Sequence, residues 1–239
     1  MKKFIICDDF FKIFPDAVFG IVVAKGIDNT PRDTAAVAEY IRLLREAEDE
    51  SEKHIMLDPL SSNPAVAVWR EAFQKFKTKK GARSSIEAML KRVSRGERIG
   101  SISPVVDIYN SISLRYGMSC GAEDIDTFVG DVLITLADGT EEFKLIGSDE
   151  NDPPLPGEII YKDGAGAVCR NFNWRESKRT MVTESTKNVF SSIELVNKDR
   201  LDELKSAIAE LAGLYEKYLG GKVETFALDK ENNFAVIEE

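Results

Sequence analysis

The chain opens on two runs in which apolar residues are continuous rather than spaced, residues 3–7 and residues 17–25, the second rich in Val and Ile. β-Branched runs of this length predict buried strands. A spacing of three and four then takes over. Thr30 and Pro31 predict a helix start, with Thr30 as cap and Pro31 in the first turn, where a missing amide donor costs nothing. Ala36, Val37, Tyr40, Ile41 and Leu44 supply its apolar face. Asn63-Pro64 repeats that signal ahead of Ala67, Val68, Phe73 and Phe76, with Trp69 expected in the core. Ser84-Ser85-Ile86-Glu87 has the form of a capping box and predicts a helix to about Arg95, stopped by Gly96. Ser103-Pro104 starts another, through Val105, Ile108 and Ile112, with Gly117 as its stop.

Beyond Gly117 the pattern turns to alternation. Residues 131–137 and 140–146 flank Asp138-Gly139 and predict a hairpin. Residues 148–157, with three prolines, predict an exposed loop. Residues 158–161 and 166–171 predict a strand pair about Asp163-Gly164, and residues 187–196 a further strand. Leu201, Leu204, Ile208, Leu211, Leu214 and Tyr215 mark a long amphipathic helix ending at Gly220-Gly221, followed by a last strand through Val223, Phe226 and Leu228. The class is α+β, an antiparallel or mixed sheet core with peripheral helices. Residues 1–94 read as an N-terminal α/β segment integral to the same domain, 95–221 as the core, and 222–239 as a C-terminal strand and tail.

Composition narrows the chemistry. At 239 residues and 43% hydrophobic the chain can bury a sizeable core, and no apolar run is long enough to cross a membrane. The N-terminus meets Asp8 and Asp9 at once and has no small-residue cleavage site, so the expected location is the cytoplasm, without membrane contact. Cys7, Cys120 and Cys169 are odd in number and far apart, which predicts free thiols. His54 is the single histidine, in a polar stretch that predicts a solvated surface; no metal and no cofactor are expected. Net charge is −9, yet the segment 75–98 carries nine Lys and Arg against two Glu, while 121–158 holds eleven acidic residues against Lys144. The molecule is therefore bipolar. Lys75, Lys77, Lys79, Lys80, Arg83, Lys91 and Arg92 are candidates for phosphate contacts with RNA, with a solvated helix face as the alternative.

The densest polar, glycine-rich cluster runs from Gly164 to Ser177. Gly164 and Gly166 would admit a ligand close to main-chain donors, Asn171, Asn173 and Ser177 can orient a small polar molecule, and Arg170 or Arg175 can bind an anion. The same residues also suit a hairpin with Trp174 as a packed lid and the arginines in ion pairs. Asp107, Tyr109 and Asn110 sit within one helical turn, and Asp107 and Asn110 share a face, as a satisfied network or as a substrate site.

Three stretches together carry a resemblance: Ser103-Pro104-Val105-Val106-Asp107-Ile108-Tyr109-Asn110 followed by Tyr116-Gly117 and Ala122-Glu123-Asp124, the run Cys169-Arg170-Asn171-Phe172-Asn173-Trp174-Arg175, and Glu184-Ser185-Thr186-Lys187-Asn188-Val189. In order and spacing, over roughly residues 95 to 220, they resemble the B3/B4 editing module of the phenylalanyl-tRNA synthetase beta chain. The resemblance implies that fold, an aminoacyl-tRNA substrate presented by its acceptor end, and hydrolysis of a wrongly charged ester. It implies a pocket in which Asn110 matches a family asparagine, Tyr109 stands for a threonine, and Gly121 falls where synthetases commonly have a histidine. Cys169 and Arg170 fall at the family's small Ala-Gly pair, and Ser192 near its tyrosine-reading glutamate. An arginine in the pocket favours a smaller or more acidic side chain over tyrosine.

Hydrolysis without a histidine remains feasible, because an aminoacyl ester is activated and a positioned water suffices. Asn110 and Asn173 are the candidates for holding that water or the amino group, with the backbone amides of residues 164–169 stabilising the oxyanion. Asp107, Tyr109, Gly121, Gly166, Cys169, Arg170, Asn171, Trp174, Arg175 and Ser192 are the candidate substrate contacts. A deacylase acting in trans on mischarged tRNA is the leading reading. The alternative is a non-catalytic binding module for RNA or a free amino acid.

Overall fold

A computed structural model describes residues 1–30 and 33–239. The chain forms β1 (Lys2–Ile6), α1 (Asp8–Ile13), β2 (Val18–Lys25), α2 (Thr34–Glu50), α3 (Pro64–Ala72), α4 (Ser85–Val93), α5 (Pro104–Tyr116), β3 (Ser119–Asp124), β4 (Val132–Leu136), β5 (Ile159–Asp163), β6 (Gly166–Arg170), β7 (Arg175–Glu176), β8 (Asn188–Leu195), α6 (Leu201–Leu219), β9 (Lys222–Leu228) and β10 (Phe234–Glu238). The fold is α+β, with one mixed and one antiparallel sheet. The mixed sheet runs β10-β1-β4-β5-β6-β7, with β1 and β4 parallel, and the antiparallel sheet runs β3-β8-β2-β9.

Three layers follow from which faces are apolar. The two sheets face each other over a core containing Phe4, Phe19, Tyr161 and Phe190. The far side of the antiparallel sheet is covered by α2, α5 and α6 through Tyr40, Val105, Ile112, Leu204, Ile208 and Tyr215. Strand β2 is buried on both faces, as its unbroken Val and Ile run requires, and lies between β8 and β9. Gly20 on β2 lets α6 come close, since a Cβ there would lie 2.5 Å from the Ile208 side chain.

Several local signals behave as expected. Ser84 accepts the Glu87 amide at 3.3 Å and starts α4, and Gly117 ends α5 at φ +59°. Others differ for physical reasons. The cap of α2 is Asp33, whose carboxylate accepts the Ala36 amide at 2.8 Å, rather than Thr30; Pro31 lies outside the described residues. The hairpin about Asp138-Gly139 does not form, because β4 already has β1 on one edge and β5 on the other. Residues 137–152 instead cover the outer face of the mixed sheet, with Phe143 against Ile160 and Ala167. Asp138 and Gly139 direct their amides to the Glu141 carboxylate. Strands β3 and β10 have no counterpart in the expected pattern. His54 is half-buried rather than solvated, its Nε2 3.1 Å from the Arg115 carbonyl, and its ring fills the space a side chain at Gly117 would need.

The turn after β6 is the tightest feature of the core. Asn171 and Phe172 adopt left-handed backbone angles, φ 50° and 65°, which costs non-glycine residues energy. Phe172 then enters an aromatic cluster, 5.9 Å from Phe19, 5.1 Å from Trp69 and 5.4 Å from Phe10 between ring centres. Phe172→Ala is expected to destabilise the fold by about 3 to 5 kcal/mol, read from the midpoint of urea unfolding, through the cavity it leaves.

Candidate functional site

Strand alternation places two sets of side chains opposite each other. In the antiparallel sheet, Gly121 pairs with Ser192 and Glu123 with Phe190, so these four share one face with Glu194, two residues beyond Ser192. In the mixed sheet Tyr161 pairs with Cys169, and Cys169 with Glu176, which puts those three on the facing side. Between them lies a narrow, partly open cavity of about 40 Å³, also lined by Cys120, Ala122, Asn173 and Ser85. Ser85 comes from the first turn of α4, whose backbone amide donates to Asn173 Oδ1 at 3.4 Å.

The cavity is acidic. Glu123, Glu176 and Glu194 line it, and no Lys, Arg or His does. Glu194 is the best satisfied, accepting hydrogen bonds from the Tyr161 hydroxyl and the Asn173 amide. Burial pushes its carboxyl up to about 7, against the opposing effect of those donors. Glu176 is likewise raised by burial to about 7, and Glu123 lies well above the usual carboxylate range through burial and the neighbouring Glu176. Glu123 Oε2 and the Ser85 hydroxyl have no hydrogen-bond partner among the described residues. A Cβ at position 121 would sit 3.2 Å from Glu176 Oε1, so Gly121 leaves room for that carboxylate. Burial also raises the Cys120 and Cys169 thiols, which keeps both protonated.

Of the expected site residues, the structure brings Gly121, Cys169, Asn173 and Ser192 together in this cavity. It places the others elsewhere. Arg170 follows Cys169 on β6 and so points to the opposite face, where it is 1% exposed and pairs with Glu158 at 2.7 Å and Asp152 at 3.0 Å. Asn171 donates to the same Glu158 at 2.8 Å. The arginine expected to shrink the pocket or reverse its charge therefore does neither, and the preference for an acidic side chain falls with it. Asp107 accepts from the Ser101 hydroxyl and, at 2.8 Å, from the Ile102 amide, so it belongs to a local network at the start of α5. Tyr109 is buried under the antiparallel sheet and Asn110 is half-buried on α5; neither lines the cavity. Gly166 admits the backbone of Glu142, whose carbonyl would lie 2.4 Å from a Cβ there. The amides of Gly164, Ala165 and Ala167 are spent on Val129, Asp163 and Glu142, which removes them as oxyanion donors.

The basic segment divides. Arg83, Lys91, Arg92 and Arg95 line a groove along α4 with Trp174 and Arg175, and Arg175 lies over the Trp174 ring at 4.9 Å. Ser85 borders both this groove and the acidic cavity, so the two adjoin. Arg83, Lys91 and Arg92 have no carboxylate partner among the described residues. Lys75, Lys77, Lys79 and Lys80 lie outside the groove; Lys79 pairs with Asp152, and Lys75 sits 5.5 Å from the Phe14 ring. The larger hollow bordered by Arg70, Phe73, Arg83, Lys91 and Arg95 is open surface along α4 and holds none of the acidic cluster; its single carboxylate, Glu87, is tied to Arg70.

The B3/4 domain family profile matches residues 68–213. The chain belongs to the B3/4 domain family. No curated protein matches it. Among solved structures, an N-terminal fragment of the phenylalanyl-tRNA synthetase beta-subunit from Pyrococcus horikoshii is similar at 14% identity and a TM-score of 0.42, over 94% of this chain and 53% of that one. The B3/4 protein thus spans about half the length of that fragment. No helix among its described residues is long and apolar enough to cross a membrane.

Glu123, Glu176 and Glu194 escaped sequence reading, although one signal was available: a glutamate two positions after Ser192 in a strand buried on both faces must meet either a partner or a ligand. Two outcomes test the geometry. A carboxyl that binds its proton more tightly folded than unfolded makes stability fall as pH rises from about 4.5 to about 7, and Glu194→Gln should flatten that fall by on the order of 1 to 3 kcal/mol in urea titrations at each pH. Arg170→Met, which leaves Glu158 buried and unpaired, should cost about 3 to 5 kcal/mol of stability in the same measurement.

Proposed function

We propose that this B3/4 protein is a trans-editing aminoacyl-tRNA deacylase, hydrolysing the ester of mischarged tRNA presented by its acceptor end. The observation that carries the reading is the junction at Ser85 of a basic groove with an acidic cavity. An aminoacyl-tRNA end has the matching charge order: phosphates along the strand, a terminal base, and an amino acid with a free ammonium group. Arg83, Lys91 and Arg92 suit the phosphates, Trp174 offers a ring for the terminal adenine, and the carboxylates suit the ammonium. Membership in the B3/4 family and the editing activity implied by the sequence resemblance favour the same assignment.

The chemistry needs a base poised near neutrality and donors at the carbonyl oxygen. Glu176, raised to about 7, can take a proton from water as that water adds to the ester carbon, and return it to the departing ribose oxygen. The Ser85 hydroxyl, free of other partners, and the Asn173 amide stand at the mouth as oxyanion donors. Asn173 is held by Glu194 and by the α4 amide of Ser85, so its orientation is set before substrate arrives.

Incubation of the pure protein with a panel of mischarged tRNAs measures this directly. At least one ester should disappear faster than in buffer, and Glu176→Gln should lower kcat by about 100-fold or more. The combined Arg83→Ala, Lys91→Ala and Arg92→Ala variant should raise KM for tRNA and make its salt dependence shallower, with little change in kcat. Tight tRNA binding with no acceleration for any ester would instead support a non-catalytic binding module, for which the absence of a pocket histidine is the favouring observation.

A further inference from the structure

Helical spacing sorts the side chains of α4 and the turn after it by direction. Glu87, Lys91 and Ser94, at intervals of four and three, face the larger hollow of about 750 Å³. Ser85, Ala88 and Arg92, about a third of a turn round, face the groove that leads to the acidic cavity. Lys91 and Arg95 border both and form the ridge between them, with Arg83 at its start. Among the described residues the two hollows carry Arg70, Arg83, Lys91, Arg92, Arg95 and Arg175 against Glu87 and Glu97. Glu87 takes up Arg70 at 2.7 Å and Glu97 lies 4.0 Å from Arg95, so the remaining cations along the ridge and groove are open to an anionic partner.

The larger hollow differs from the groove in what lies between its charges. Pro59, Leu60 and Phe73 give it an apolar wall, and Ser61, Gln74 and Ser94 bring neutral hydrogen-bonding groups to it. An A-form duplex presents the matching mixture, a wide, shallow minor groove in which 2′-hydroxyls and sugar faces lie between two rows of phosphate. A single strand has one such row and needs one hollow; two hollows that meet on a cationic ridge have room for two. We propose that the α4 ridge docks on an RNA duplex, with the phosphates of one strand in the groove and those of the other in the larger hollow, where Ser61 and Gln74 meet 2′-hydroxyls. The strand in the groove is the one that continues unpaired past Ser85 into the acidic cavity. That the duplex is the acceptor stem of a charged tRNA rests on the deacylase reading above; the duplex surface itself rests on the two hollows and their shared cations.

Two RNA probes test the surface by fluorescence anisotropy with the full chain: a hairpin carrying an acceptor stem and its unpaired 3′ end, and that 3′ strand alone. The hairpin should bind at least about 10-fold more tightly, and its affinity should fall more steeply with salt, because counterions leave two strands rather than one. Ser61→Glu combined with Gln74→Glu, both in the larger hollow and outside the groove, should erase that preference, and Gln74→Lys should enlarge it. Arg92→Ala combined with Arg175→Ala, in the groove and outside the larger hollow, should weaken both probes. Equal affinity for the two RNAs, an undiminished preference in the Ser61→Glu, Gln74→Glu variant, or displacement of the hairpin by poly-L-glutamate as readily as by unlabelled hairpin would overturn the proposal. The tRNA panel separates this from the deacylase reading. Ester cleavage by a protein that binds both RNAs equally would overturn the duplex surface and leave the deacylase standing; a hairpin preference in a protein that cleaves no ester would do the reverse.

Discussion

The buried carboxylate of Glu158 organises the region on which both candidate surfaces depend. It receives two nitrogens of Arg170 and the amide of Asn171, all inside the protein, while the third Arg170 nitrogen reaches the carbonyl and carboxylate of Asp152. Those bonds hold the backbone of Asn171 and Phe172 in its left-handed conformation, and the Phe172 amide completes the turn by donating to the Ile159 carbonyl at 2.7 Å. With Phe172 driven into the aromatic core, the next residue, Asn173, is returned to the cavity. Asn171 Oδ1 also accepts the Lys79 amide at 3.1 Å, which ties down the segment leading into α4. A buried ion pair adds little net stability against an apolar replacement; here it specifies geometry, locating the cavity mouth and the adjoining groove from one point.

The cavity is a polar end of an otherwise apolar interface between sheets. Phe4 stacks on Tyr161 at 5.6 Å and packs on Phe190 at 4.8 Å, and beyond these rings the facing side chains become carboxylates, thiols and amides. That position explains the proton affinities. The carboxyls are enclosed enough to lose much of their hydration, and no basic side chain enters to compensate. The overall charge of −9 and the basic α4 groove are compatible, because among the described residues only Glu97 stands in the groove against Arg83, Lys91, Arg92, Arg95 and Arg175, while Glu123, Glu176 and Glu194 are recessed in the adjoining cavity.

What could be read in the sequence was what local chemistry decides. Strands β1 and β2, the cap at Ser84, the stop at Gly117 and the stripe of α6 each depend on residues within a turn or two of one another. Strand β3, Ser-Cys-Gly-Ala-Glu-Asp, has no β-branched residue and owes its conformation to pairing with β8. Asp138-Gly139 carried a genuine turn signal, but the neighbour it should have supplied to β4 was displaced by β1 and β5. At the site the same distinction holds. Gly121, Cys169 and Ser192, to which the resemblance in order and spacing points, and Asn173, to which the polar glycine-rich cluster points, line the cavity, whereas Arg170 lies on the opposite face because adjacent strand residues face opposite ways. The carboxylates come from β3 and β8 on one sheet and β7 on the other, and only the facing of the two sheets brings them to one cavity.

The order of strands has a consequence for synthesis on the ribosome. Strand β2 is made long before its two neighbours, β8 and β9, which follow it only after α2 to α5 and β3 to β7. Its Val and Ile run must wait with both edges open while those intervening segments are made, a state prone to wrong pairing, and such long-range closure is slow. Glu194, carried by β8, cannot be seated until then, so the nascent chain acquires its cavity only once β8 has been made.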